Sequence, residues 1–248
     1  MDKMLYIAMS GAKQNLQGVR VHANNLANAN TQGFRKDFEQ ARAMQAYGEG
    51  LPSRVFSMTE RPGSDFTHGG FMSTNRDLDV AIAGDGWLAV QAANGGEAYT
   101  RAGHLQLDEN GQLRNAANQP ILGEDGNPIT LPQPLAKVQV GSDGTISYLP
   151  KGAPPDAIEQ GGRIKLVNPS IASLVKGADG LFRTQDGLPQ AADPTVSLVS
   201  GKLEASNVSA VGEMVQMIDL QRQFDMQVKA MKAAEENDSA QSQLLKMS

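Results

Sequence analysis

A chain of 248 residues with 40% hydrophobic residues is long enough for one large or two modest domains around a real core. A formal net charge of −5 argues against a protein that grips phosphate backbones, which takes clustered Lys and Arg, so no nucleic-acid partner is expected. No stretch approaches the ~20 consecutive apolar residues that cross a bilayer, and the absence of cysteine excludes disulfides, thiolate metal sites and cysteine nucleophiles.

At the start, Met1 to Leu5 lacks a basic run, and Lys13, Gln14 and Asn15 interrupt the apolar residues beyond it, so no cleaved signal peptide is expected. Leu5, Met9, Ala12, Leu16, Val19, Ala23 and Leu26 alternate spacings of four and three, one stripe of a helix and a heptad seam about three repeats long. The stripe is poor in large side chains, so this helix is expected to fray in a lone subunit and to gain stability by packing on a partner. It should end within Asn28-Ala29-Asn30-Thr31-Gln32-Gly33, where Asn and Gly tolerate a left-handed backbone and side-chain amides compete for backbone hydrogen bonds. Asn24 and Asn25 precede that cap. The Asn-rich segment reads equally as a helix cap and as a partner-binding motif, and the two are compatible.

From Phe34 a polar connector begins. Residues 35–75 show poor periodicity, interrupted by Gly48, Gly50, Pro52, Pro62, Gly63, Gly69 and Gly70, and read as an extended arm, with 37–47 allowed as a short helix. Residues 77–83 alternate polar and apolar, and Gly84-Asp85-Gly86 leads into Trp87 to Gln91, which reads as strand, hairpin turn and strand. Turn signals recur at Asn94-Gly95, Asn110-Gly111, Asp125-Gly126, Asp143-Gly144, Asp179-Gly180 and Asp186-Gly187, between short runs such as 164–167 and 196–199. Residues 76–203 are therefore expected to form a central β domain, with Val80, Ile82, Trp87, Leu88 and Val90 in one core.

After Leu203, Ser206 and Asn207 offer N-caps to a final helix of roughly 40 residues, a length that points to a coiled coil or bundle. Its track runs through Ala210, Met214, Met217, Gln221, Phe224, Val228 and Met231, then weakens at Glu235, Asp238 and Ser242 before Leu245. Fold class is thus mostly β with paired terminal helices: a central β domain flanked by coiled-coil-type helices, residues 1–34 and 204–248 forming a helical assembly domain. Residues 1–62 hold eight Lys or Arg against five Asp or Glu, and 204–248 hold four against seven, so the ends are mildly complementary.

Candidates for chemistry are weak. Gly84-Asp85-Gly86 lacks the basic residue and spacing of a phosphate loop. Asp77, Asp79 and Asp85 do not match a calcium loop, and His22, His68 and His104 are dispersed without the i, i+4 pair of a metal site. Asp108 and Glu109 precede a turn rather than facing each other as acid and base. No catalytic, cofactor or metal residues are assigned, and no enzyme activity, cofactor or small-molecule substrate is expected. Met214, Met217 and Met231 suit an adaptable interface. A secreted oligomeric β-domain adhesin or enzyme is the alternative in another class.

The run Ala23-Asn24-Asn25-Leu26-Ala27-Asn28-Ala29-Asn30-Thr31-Gln32-Gly33-Phe34-Arg35 resembles the amino-terminal signature of the flagellar rod and hook axial proteins. Leu78-Asp79-Val80-Ala81-Ile82, Gly86-Trp87, Tyr99-Thr100-Arg101-Ala102-Gly103 and Gly201-Lys202-Leu203-Glu204-Ala205-Ser206-Asn207-Val208 resemble that family's other blocks, in order. The short arm and residues 85–91 are most similar to proximal-rod members, with distal-rod members the alternative. Ser209, Phe224 and Asp225 depart from the family's usual closing helix. The resemblance implies a structural subunit exported unfolded by the flagellar type III apparatus and built, with itself and other rod proteins, into a helical tube of the periplasmic basal body. It also implies that Leu5, Met9, Ala12, Leu16, Val19, Ala23, Asn24, Asn25, Leu26, Asn28, Gly33, Phe34, Asn207, Met214, Met217, Phe224, Val228 and Met231 serve assembly.

Overall fold

The computed structural model describes residues 3–38, 41–45, 55–59 and 63–246. The chain is mostly β, with α1 (Lys3–Ala27) near one end and α2 (Ala210–Lys246) near the other. It divides into two compact units: Met1–Ala29 with Lys36–Asp65 and Val208–Ser248, and Asn30–Arg35 with Phe66–Asn207. Among the described residues no helix is long and apolar enough to cross a membrane.

In the helical unit α1 and α2 run antiparallel, because Gly11 meets Gln227 while His22 meets Glu213. Small residues make this possible. Ala8, Ala12 and Gly18 are buried, and a Cβ added at Gly11 would stand 3.2 Å from the Gln227 side chain, so that side chain packs directly on the α1 backbone. From α2, Glu213 and Ala234 are buried, and Met217, Leu220, Phe224, Val228 and Met231 are half-buried. The helix is capped by Ser209, whose Oγ accepts from Gly212 N and whose carbonyl accepts from Glu213 N. Ser206 and Asn207 therefore do not cap it; the Asn207 amide donates to Thr67 O in the β unit.

Residues 41–45 form a strand, not the helix that their composition allows. Ala41 pairs with Thr59 and Gln45 with Val55, and the β-rich partner Val55–Thr59 overrides the local helix preference of Ala, Arg, Met and Gln. A second short ladder joins Asp37–Phe38 to Gly63–Ser64. The flanking residues 39, 40, 46 and 47 and the breakers Gly48, Gly50, Pro52 and Pro62 lie outside the described residues, as do the side chains of Asp238, Ser242 and Leu245.

The β unit has a five-stranded antiparallel sheet in the order Leu166–Val167, Trp87–Gln91, Glu97–Thr100, Phe182–Thr184, Leu174–Lys176. A three-stranded sheet keeps chain order, Leu135–Val140, Thr145–Pro150 and Glu159–Arg163. Short ladders pair Val80–Ala83 with Ser197–Ser200 and Phe71–Ser73 with Lys202–Glu204. Val80, Ile82, Leu88 and Val90 share one apolar core with Leu105, Leu113, Ile121 and Ile146; Trp87 instead packs with Tyr99, Phe182 and Phe66 in a second cluster. The split is a result of strand alternation, since Trp87 and Leu88 point to opposite faces of one strand.

All six Asx-Gly turns form, each with its glycine at positive φ. In five of them the Asx side chain accepts from the backbone N–H two residues on, as Asp125 does from Asn127 and Asp143 from Thr145. Gly84-Asp85-Gly86, by contrast, is not a hairpin. The strands on either side pair with different partners, Val80–Ala83 with a strand more than a hundred residues away, and the turn's carbonyls are held by Arg101.

Candidate assembly interface

The apolar stripe of α1 is divided between two faces. Ala12 is buried, Val19, Ala23 and Leu26 are half-buried, and Leu5, Met9 and Leu16 are exposed. Tyr6 and Ile7 join the exposed set. The reason is geometric: packing against α2 uses the small-residue face, and the large apolar side chains are left on the shoulder of the helix. On α2 the same division places Met217, Phe224, Val228 and Met231 toward α1 and Ala210 half-buried, while Met214 and Gln221 are exposed. Val211, Val215, Ile218 and Met226 are exposed beside Met214. Residues 211, 214, 215 and 218 form an i, i+3, i+4, i+7 stripe that lies alongside the heptad track of α2.

The Asn-rich turn closes α1 by a side-chain cap. Asn28 N bonds Asn24 O, and Asn28 Nδ2 donates to both Asn24 O and Asn24 Oδ1, at 2.9 Å each. Asn25 faces inward and is fully buried. It holds the Asp37 backbone from both sides: Asp37 N donates to Asn25 Oδ1, and Asn25 Nδ2 donates to Asp37 O, each at 2.9 Å. The same amide donates to Glu213 Oε2 at 3.2 Å.

Glu213 is the centre of this arrangement. Its carboxylate, 1% exposed, accepts from His22 Nδ1 at 2.6 Å and lies 2.9 Å from Lys36 Nζ. Burial pushes its pKa up, but the bonds from His22, Lys36 and Asn25 outweigh burial and leave it below the ordinary glutamate value. One buried carboxylate thus ties α2 to two residues of α1 and to the segment that enters the Asp37–Phe38 strand.

Gly33 and Phe34 belong to the β unit. Gly33 has φ +67, and its N donates to Glu204 O; a Cβ there would stand 2.4 Å from the Arg101 carbonyl carbon, so glycine is required twice over. The Phe34 ring lies under Lys176 Nζ at 3.8 Å. Next to it, buried Glu204 takes Arg35 Nη1 at 2.7 Å and Arg101 Nε at 2.6 Å. Burial pulls the Arg101 pKa down and Glu204 works against it. Neither Glu204 nor Glu213 stands out in the sequence, where an isolated Glu in a polar stretch reads as solvated surface; only the family-like blocks that contain Arg101 and Glu204 point near them.

Each of the dispersed histidines faces a carboxylate of its own unit: His22 faces Glu213, His104 faces Asp79 at 2.8 Å, and His68 faces Asp85 at 3.2 Å. Among the described residues no group of His, Asp and Glu has the arrangement to hold a metal ion. Asp108 organises its turn, accepting from Asn110 N and Gln112 N and pairing with Arg114.

Three family patterns match along the chain: the flagella basal body rod protein pattern at residues 5–35, the flagellar hook protein FlgE/F/G D1 domain at 81–148, and the flagellar basal body rod FlgEFG protein C-terminal region at 199–244. The chain is 44% identical to the flagellar basal-body rod protein FlgF of Escherichia coli (strain K12) and 42% identical to that of Salmonella typhimurium, each across 100% of both chains. It is 32% identical to the flagellar basal-body rod protein FlgG of Buchnera aphidicola subsp. Schizaphis graminum, over 97% of this chain and 98% of the relative. The chain therefore belongs to the flagellar rod and hook protein family, as a FlgF-like basal-body rod protein.

Proposed function

We propose that the chain is a structural subunit of the proximal rod, without enzymatic activity, that polymerises through α1 and α2 into a helical tube that transmits torque and conducts exported subunits. Its partners are further copies of itself and neighbouring rod proteins, reached after export by the flagellar type III apparatus without a cleaved signal. In this reading the helical unit that carries α1 and α2 forms the assembly domain, packing in coiled-coil fashion with neighbouring copies. Of the expected arm, 36–65 falls in that unit and 66–75 in the β unit, which continues to Asn207. The full-length likeness to FlgF proteins, at higher identity than to a FlgG protein, supports the proximal position.

The observation that carries the mechanism is the pair of apolar faces left in water: Leu5, Tyr6, Met9 and Leu16 on α1, and Val211, Met214, Val215, Ile218 and Met226 on α2. Apolar side chains repeated along a helix in water mark a face that awaits a partner. Leu16→Asp and Met214→Asp place a charge that a packed seam would bury at a cost of several kcal/mol. Both are expected to abolish motility and rod incorporation in a strain lacking its own copy, with monomer helicity unchanged because the site is already exposed. Lys13→Ala and Asp219→Ala are expected to be nearly silent. Equal effects on both sets remove the case for assembly through these faces.

A further inference from the structure

We infer that a cleft in the β unit, lined by Arg35, His68, Asp85, Trp87, Arg101 and Asn168, is a binding site for a carboxylate. The cleft has a volume of about 250 Å³. Its charges do not balance in the interior. Arg35 and Arg101 are both buried, and the buried carboxylate between them is Glu204 alone. The other acid, Asp85, is 76% exposed at the mouth, where water screens it.

Each nitrogen of Arg101 is bonded: Nε meets Glu204 Oε2, Nη1 donates to Gly86 O, and Nη2 donates to Gly84 O and Ile82 O. Arg35 differs. Its Nη2 contacts His68 Nδ1 at 3.3 Å and its Nη1 pairs with Glu204 Oε1 at 2.7 Å, while the buried Nε has no acceptor. A buried guanidinium keeps its charge, and a buried N–H without an acceptor is unfavourable, so Arg35 Nε and the second positive charge of the Arg35–Arg101–Glu204 group favour a further acceptor. His68 stands between Arg35 and Asp85, its Nδ1 3.3 Å from Arg35 Nη2 and its Nε2 3.2 Å from Asp85 Oδ1. A carboxylate matches the guanidinium fork, and the Trp87 ring offers the apolar stem of such a ligand a wall. The source is either a small free carboxylate or an acidic side chain of a second copy of this chain.

Trp87 is the chain's single tryptophan, so its fluorescence reports the cleft directly. The full-length protein is titrated with acetate at constant ionic strength, chloride being the balancing anion. A peptide copying residues 233–239, which carries Glu235, Glu236 and Asp238, is titrated in parallel. A saturable change with acetate that chloride does not give is expected. A peptide binding at least about tenfold tighter than acetate assigns the ligand to an acidic side chain, and equal or weaker binding assigns it to a free carboxylate. Asp85→Ala removes the competing acid without touching a buried group and is expected to tighten binding about threefold, the scale of an exposed charge pair. No saturable change with either probe, a response equal to that of chloride, or unchanged affinity in Asp85→Ala overturns the inference.

Discussion

Glu213→Ala tests whether the helical unit is held by one buried carboxylate. The substitution removes the acceptor of His22 Nδ1 at 2.6 Å, the counter-charge of Lys36 Nζ at 2.9 Å and a partner of Asn25 Nδ2 at 3.2 Å. Breaking a fully buried ion pair costs about 3–5 kcal/mol because the remaining charge is stranded. Here Lys36 is 28% exposed and can turn to water, and Asn25 keeps its bond to Asp37 O, so the expected loss is smaller, about 2–3 kcal/mol. Helical ellipticity at 222 nm reports this unit, since both long helices lie in it, while Trp87 fluorescence reports the β unit. With a urea slope of about 2 kcal/mol/M, the helical midpoint should fall by roughly 1 M while the Trp87 transition stays in place. The folded-state pKa of Glu213 is depressed, so its stabilisation is fully present above the unfolded value of about 4.3 and is lost as pH falls through the folded pKa. Wild type should therefore lose helical stability on acidification more steeply than Glu213→Gln. An unchanged midpoint in Glu213→Ala, or identical acid profiles, refutes the reasoning.

Gly33→Ala should destabilise the β unit by at least about 2 kcal/mol, read by Trp87 fluorescence in urea: roughly 1 kcal/mol comes from the left-handed backbone, and the Cβ displaces the Arg101 main chain besides. Hydrogen exchange on the monomer should show protection graded along the helix pair. It should be slowest beside Asn25 and Glu213, where the polar anchors sit, and fastest in the first two turns of α1. Uniform protection from residue 3 to residue 27 would contradict a pair pinned at one end.

The helical ends were legible because a helix announces itself locally. The α1 boundary is set by Asn and Gly at the cap, and the length of α2 by the lack of any breaker before its end. The turn positions of the β unit were legible for the same reason, since an Asx-Gly pair encodes its own positive φ and its own side-chain bond. The blocks around Asn24 and Leu203 also identified the family from sequence alone. Which stripe of each helix is covered was not legible. Ala8, Gly11 and Gly18 carry little hydrophobic signal, yet their small size is what lets α2 approach, and the larger Leu5, Met9 and Leu16 are excluded from that contact.

Tertiary structure also decided the pairings that join distant segments: Val80–Ala83 with Ser197–Ser200, and Phe71–Ser73 with Lys202–Glu204. Ladder partners more than a hundred residues apart leave no trace in a local period. The same holds for the two buried glutamates. Glu204 and Glu213 look like surface residues in the sequence, and each becomes an anchor only because the fold brings Arg35 and Arg101 to one, and His22, Asn25 and Lys36 to the other. Local sequence determined where this chain bends, coils and turns; the completed fold, which brings remote residues together, decided which buried charges meet within each unit.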